Sequence, residues 1–235
     1  MKQLVVLISL WVVAMSAAAQ EEPEYRLELG AGGGVVSYMG DFNGNPLKGI
    51  SPIGTLVAKY KLNPRMAWAL NIGYGGLRGS STNVRTWYPD LRDYPATFKS
   101  SLIDMTVRYE YNFWPFGTGR EYLGAHKLTP FIAIGLGFAV ANAKLTQKDE
   151  QTRTTSLAAQ LPIGVGVKYK LATRWNLAVE WMMHFTGGDK LDGIADPYGI
   201  ESSGLFKNTD CYSMLAVTLT YDLWARCRTC HNDRD

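Results

Sequence analysis

Cys227-Arg228-Thr229-Cys230-His231 has the Cys-x-x-Cys-His spacing of a c-type haem attachment site. It stands on a hydrophilic tail, four residues before the last one, with no segment around it to bury a porphyrin or supply a second axial ligand. Zinc would find only three ligands there, one short of a closed tetrahedral site. Neither haem nor zinc is therefore expected. In an oxidising compartment Cys227 and Cys230 either close a local disulfide or cross-link to another protein. Cys211 falls sixteen residues before Cys227, at the far end of an extended segment, and at ~3.3 Å per residue it is too distant to pair with it.

Two other sets of residues have the chemistry of a catalyst. Asp104 and Glu110 are types that work as acid and base, but packed among Lys and Arg they are expected to be structural. His184 and Thr186 form a His-x-Thr pair, yet Thr is a poor nucleophile, alternation turns His184 away from lipid, and no third partner is apparent. A hydrogen-bonding role in the interior is expected for His184, and no catalytic, cofactor or metal residue is assigned.

What must position these side chains is legible in the stretch 98–114. Ile103, Met105, Val107, Tyr109, Tyr111 and Phe113 alternate with Asp104, Thr106, Arg108, Glu110 and Asn112. A period of two places all the apolar groups on one face of a strand and the polar groups on the other. The pattern recurs seven more times. Strand one sets Tyr25, Leu27, Leu29 and Ala31 against Arg26, Glu28, Gly30 and Gly32, and strand two Leu56, Ala58, Tyr60 and Leu62 against Thr55, Val57, Lys59 and Lys61. Strand three sets Trp68, Leu70, Ile72 and Tyr74 against Ala67, Ala69, Asn71 and Gly73, and strand five Ile132, Ile134, Leu136 and Phe138 against Phe131, Ala133, Gly135 and Gly137. In strand six Ile163, Val165, Val167 and Tyr169 oppose Gly164, Gly166, Lys168 and Lys170. In strand seven Trp175, Leu177, Val179, Trp181 and Phe185 oppose Asn176, Ala178, Glu180, Met182 and His184. Strand eight has Leu215, Val217, Leu219, Tyr221 and Leu223 against Met214, Ala216, Thr218, Thr220 and Asp222.

Eight strands leave no helix to cover their apolar faces, so an all-β, eight-stranded antiparallel up-and-down transmembrane barrel is expected, its apolar faces against lipid. Turns at 63–65 and 172–174 are tight, the connection 115–127 is of middling length, and 38–49, 78–96, 143–156 and 187–210 read as long loops. Short turns at one end and long loops at the other are the asymmetry of such barrels and place both termini in the periplasm. Two aromatic girdles are expected. Tyr25, Tyr60, Trp68, Tyr111, Trp114, Tyr169, Trp175, Tyr221 and Trp224 form the periplasmic one, and Tyr38, Tyr74, Phe98, Phe138, Phe185 and Tyr212 the other. A soluble, lipocalin-like barrel would need the opposite polarity, apolar inside.

Residues 1–19 read as a secretory signal, with Lys2, an apolar run and the small residues Ala17-x-Ala19, rather than a retained anchor. Residues 20–224 are then the barrel and 225–235 a periplasmic tail. A formal net charge of +3 on 235 residues is too balanced to point to nucleic acid. Inside, Arg26, Lys59, Lys61, Arg108, Lys168 and Lys170 face Glu28, Asp104, Glu110, Glu180 and Asp222. Buried charges persist only when paired, and eight strands enclose a space that side chains fill, so the lumen is expected to be closed.

Several pieces resemble the PorG-like small outer-membrane β-barrels of the type IX secretion apparatus of Bacteroidetes. They are Tyr38-Met39-Gly40-Asp41-Phe42-Asn43, Leu62-Asn63-Pro64-Arg65, Asn112-Phe113-Trp114-Pro115-Phe116, Thr129-Pro130-Phe131, the run 162–169 and the run 175–181. Gly187-Gly188-Asp189-Lys190-Leu191-Asp192 departs from the more acidic, Tyr-containing loop expected there. The resemblance implies a non-enzymatic part of an export machine that contacts periplasmic ring proteins, PorK-like and PorN-like, with outer-membrane lipid its other partner and no small-molecule substrate. The contact candidates are Asn63, Pro64, Arg65, Pro115, Phe116, Arg120, Arg174, Arg226 and Arg228. A surface adhesin or resistance barrel and a lipid-modifying enzyme are the competing expectations.

Overall fold

The computed structural model describes residues 23–39, 48–81, 96–118, 125–147, 150–188, 191 and 210–225. Eight strands run β1 (Tyr25–Met39), β2 (Ser51–Asn63), β3 (Met66–Ser80), β4 (Thr97–Asn112), β5 (Leu128–Gln147), β6 (Glu150–Lys170), β7 (Trp175–Thr186) and β8 (Cys211–Ala225). Each pairs antiparallel with the next, and β1 closes on β8, which makes an up-and-down barrel with no free edge along its wall.

The strands are strongly inclined. Following paired residues from Asn112 through Phe131, Gly166, Glu180, Ala216, Gly34, Ile53 and Gly75 leads back to β4 at Leu102, ten residues from the start. A stagger of that size in eight strands goes with a marked tilt and a narrow lumen. The wall and lumen are packed so tightly that several inward positions, Gly135 and Gly166 among them, admit only glycine. A Cβ on Gly166 would lie 2.5 Å from the Phe131 ring, and one on Gly135 would meet Arg108 Cγ at 2.9 Å.

Polarity is inverted relative to a soluble barrel. Leu56, Leu70, Ile103, Met105, Val107, Ile134, Leu136, Val165, Val179 and Leu219 stand exposed on the outer wall, while Glu28, Lys59, Arg108, Glu110, Glu180 and Asp222 are at most 3% exposed inside. No helix among the described residues is long and apolar enough to cross a membrane. The apolar wall is the surface that meets hydrocarbon, where the strands satisfy their backbone groups by pairing with their neighbours.

Several expectations need correction. Within the expected loop 143–156, residues 143–147 and 150–156 are strand: β5 and β6 pair from Gln147↔Glu150 onward, and 148–149 lie outside the described residues. The hydropathy contrast fades beyond Leu145, which still packs on the apolar cluster, because both faces of the hairpin tip at 150–153 are exposed, while Thr152, Thr154 and Thr155 favour extended backbone. β1 likewise runs on to Met39 and β3 to Ser80, which shortens the adjoining loops. Of the second aromatic girdle, Tyr74 and Phe138 are exposed as expected, but Tyr38, Phe98 and Tyr212 are buried inside. Tyr25 of the first girdle is 8% exposed, its ring beneath Lys170 and Arg174, whereas Tyr60, Trp68, Trp114, Tyr169, Trp175 and Trp224 face outward.

Candidate functional site

The lumen is built in three layers. Toward the tight-turn end lie two ionic groups. Glu110 forms ion pairs with Lys168 at 2.7 Å and Lys59 at 3.2 Å and has Arg108 at 3.7 Å, while Arg108 grips Glu180 at 3.2 Å. Both lysines also stand over the Phe131 ring, Lys168 Nζ 4.5 Å and Lys59 Nζ 5.7 Å from its centre. In the second group Lys61 bridges Glu28 at 2.9 Å and Asp222 at 2.5 Å, and Lys170 reaches Asp222 at 2.5 Å. Glu28 and Asp222 are direct register partners across β1 and β8, so the lysines are what allow this seam to close.

Arg26 and Asp104 do not join these groups. Arg26 is adjacent to the inward Glu28 by two residues, yet its guanidinium donates to the Tyr60 hydroxyl at 3.2 Å on the outer wall. Asp104 belongs to a separate polar layer nearer the loop end. Its Oδ2 accepts from Gln160 Nε2 at 2.6 Å and lies 3.3 Å from His184 Nδ1. The Tyr212 hydroxyl sits between Asp104 and Gln160, and its ring stacks on His184 with centroids 4.4 Å apart. His184 thus has the partners that the sequence did not reveal, Gln160 and Tyr212, both held at matching height by the strand tilt. It is wholly buried, so neither bulk solvent nor lipid reaches it. Thr186 is turned away from it and donates to the Asp210 and Gly188 carbonyls.

Above this layer is an apolar plug of Tyr38, Leu77, Phe98, Leu102 and, from beyond β7, Leu191, continuous with Val36, Ile53 and the register pair Met182 and Met214, which pack beside and beneath His184 and Tyr212. Its sequence signal is a break in alternation. Val35-Val36, Leu102-Ile103, Met182-Met183 and Met214-Leu215 are apolar on both faces, all toward the loop ends of their strands.

The tight-turn end is closed by a stitched floor. Asn112 N donates to Arg65 O at 2.7 Å, Phe116 N to Pro64 O at 2.9 Å, and Arg65 Nη1 to Phe113 O at 2.9 Å. His126 N donates to Pro115 O, Lys170 N to Lys127 O and Asp222 N to Arg174 O, each at 2.7 or 2.8 Å. Asn63 and Phe116, expected as contact residues, turn inward. Asn63 Oδ1 caps Arg65 N at 2.8 Å, and Phe116 lies under Lys61 and Lys170 as a stopper. Pro64, Arg65, Pro115 and Arg174 remain accessible. Arg174, in its turn, is held above its ordinary pKa by hydrogen bonds from its guanidinium to the Tyr221 and Tyr25 hydroxyls. Arg120, Arg226, Arg228, Cys227 and Cys230 lie outside the described residues. Cys211 is free among them, its thiol donating to Met39 O at 3.3 Å. No cluster of three metal-ligating side chains occurs among the described residues.

A model for the family described as Domain of unknown function (DUF6089) matches residues 2–232. The chain belongs to the DUF6089 family. No curated protein matches it. Among solved structures, this DUF6089 chain is similar to Neisserial surface protein A, with 9% identity, 84% of this chain and 97% of that one covered, and a TM-score of 0.49. A major outer membrane protein from Thermus thermophilus gives 12%, 84%, 99% and 0.48, and Ail, the attachment invasion locus protein of Yersinia pestis, 12%, 86%, 99% and 0.43.

With ionic groups, an apolar plug and a stitched floor in series, the DUF6089 barrel is expected to carry no ionic current. Single-channel recording in planar bilayers checks this, and sustained open steps at neutral pH would contradict the filled lumen.

Proposed function

We propose that the barrel is a non-enzymatic outer-membrane anchor of a type IX protein-secretion machine, facing its tight-turn end and both termini to the periplasm. There it holds the PorK-like and PorN-like ring proteins against the membrane. The stitched floor is the observation that carries this. Turns that are otherwise independent are joined into one preformed surface at 64–65, 115–118, 125–127 and 172–174, and a preformed surface binds without an ordering cost. The filled lumen supports the same role, because a sealed barrel serves as a rigid peg and not as a conduit. The resemblance of 62–65 and 112–116 to PorG-like barrels falls on this floor.

Charge reversal of the exposed Lys127 and Arg174 tests the surface. Lys127→Glu with Arg174→Glu is expected to lower co-purification of the ring proteins in mild detergent about tenfold or more, with heat-modifiable gel mobility unchanged. Deleting the gene should stop export of other proteins; normal export would sink the proposal. The projecting β5–β6 hairpin favours a second reading, a surface adhesin, in which export is normal and phenotypes follow shortening of that hairpin.

A further inference from the structure

On the outer wall near the loop end, four cations stand side by side on four consecutive strands. Arg78 is the register partner of Lys99, Lys99 of Lys144, and Lys144 of Arg153. All four are exposed, and the inward chain neighbours Leu77, Phe98, Ser100 and Ala143 of the first three are buried, so the row belongs to the lipid-side face, which Arg153 shares by its register with Lys144. Arg78 is steadied by a hydrogen bond from its Nη2 to the Ile50 carbonyl.

Like charges on directly opposed residues destabilise a sheet. In the lumen the Lys and Arg side chains of the ionic layer meet carboxylates, but among the described residues no carboxylate is in ion-pair reach of any member of this row. The row also has a fixed position relative to the apolar wall. Two residues toward the wall on the same strands lie Gly76, Ser101, Asn142 and Thr155, and two further on Tyr74, Ile103, Val140 and Leu157. Arg78 therefore stands just beyond the hydrocarbon boundary, and because the strands are inclined the row climbs from it through Lys99 and Lys144 to Arg153 across the depth of the lipid headgroups.

We propose that this row binds a membrane glycolipid whose headgroup carries two phosphates, with its acyl chains running down the wall below. Three strand spacings make the row about 15 Å long. It ends in an Arg on each side with the two Lys between, so Arg78 with Lys99 takes one phosphate and Lys144 with Arg153 the other, the guanidinium binding in bidentate fashion. A single phosphodiester would occupy half of it. The proposal rests on the outer-membrane placement above, with the loop end in the outer leaflet, but not on the ring-protein partners.

The test uses the full chain, folded in detergent micelles without ring proteins, and native mass spectrometry with bisphosphorylated lipid A, monophosphorylated lipid A, phosphatidylglycerol or inorganic phosphate as the probe. Wild type is expected to retain the bisphosphorylated lipid about tenfold or more above the other three. Arg78→Gln with Lys99→Gln, Lys144→Gln and Arg153→Gln should lose that excess, whereas Lys99→Arg with Lys144→Arg should keep it. These positions lie on exposed strand, so both variants should retain heat-modifiable mobility. Equal retention by the Gln variant, equal binding of phosphatidylglycerol, or displacement by millimolar inorganic phosphate would each overturn the proposal, while co-purification of the ring proteins would be unaffected.

Discussion

Glu110→Ala is expected to leave no folded barrel under conditions in which the wild type is stable. Glu110 is fully buried and is the shared counter-ion of Lys59 and Lys168, with Arg108 beside it. Its removal leaves Lys59 and Lys168 with no carboxylate in ion-pair contact among the described residues, in a space closed to bulk water. Breaking a buried ion pair from one side costs about 3–5 kcal/mol, and here one carboxylate serves more than one cation. Glu110→Gln, which preserves shape, should be nearly as damaging, because charge and not volume is what is lost. Adding Lys168→Met to Glu110→Gln removes one unpaired cation and should recover part of the loss. Guanidinium unfolding followed by tryptophan fluorescence reads all three. A midpoint for Glu110→Ala close to that of wild type would mean that water solvates the lumen after all.

Val107→Lys should be severe for the opposite reason. Val107 is the chain neighbour of Arg108, but its side chain stands 48% exposed on the outer wall. A lysine at the middle of the lipid-facing band costs about 2–4 kcal/mol in a bilayer, falling toward zero near the interfaces. The same charge is natural one residue along, where carboxylates meet it, and at Lys99, beyond the boundary. Equilibrium refolding into phospholipid vesicles measures the cost. If Val107→Lys folds into bilayers as well as wild type, the outer wall is not a lipid-facing surface.

Parity was the most readable feature of this chain. In β4 and β7 each alternating side chain takes the face that its position indicates, from Leu102 and Ile103 to Met182 and Met183. Two kinds of environment escaped it. Where both faces are wet, as at 150–153, polar residues alternate with polar residues and the period disappears although the strand continues. Where both faces are apolar, as at Val35-Val36 and Met214-Leu215, the inward member passes for part of the outer wall, and the apolar packing around His184 goes unseen. Height along the strands places Tyr38, Phe98 and Tyr212 at a girdle, but their even-numbered positions on β1, β4 and β8 turn them inward.

The lumen partners follow a different logic. Composition and alternation together determined that this is an eight-stranded barrel with charge inside and hydrocarbon outside, because both follow from a local period of two that each strand displays by itself. Which charge meets which was decided only by the tertiary structure. Arg108 and Glu180 are 72 residues apart, and Asp104 finds His184 and Gln160 rather than a lysine. Those meetings depend on a stagger of ten residues around the closed wall, which sets the height of every inward side chain. A stagger is the sum of eight pairings, and no single strand records it.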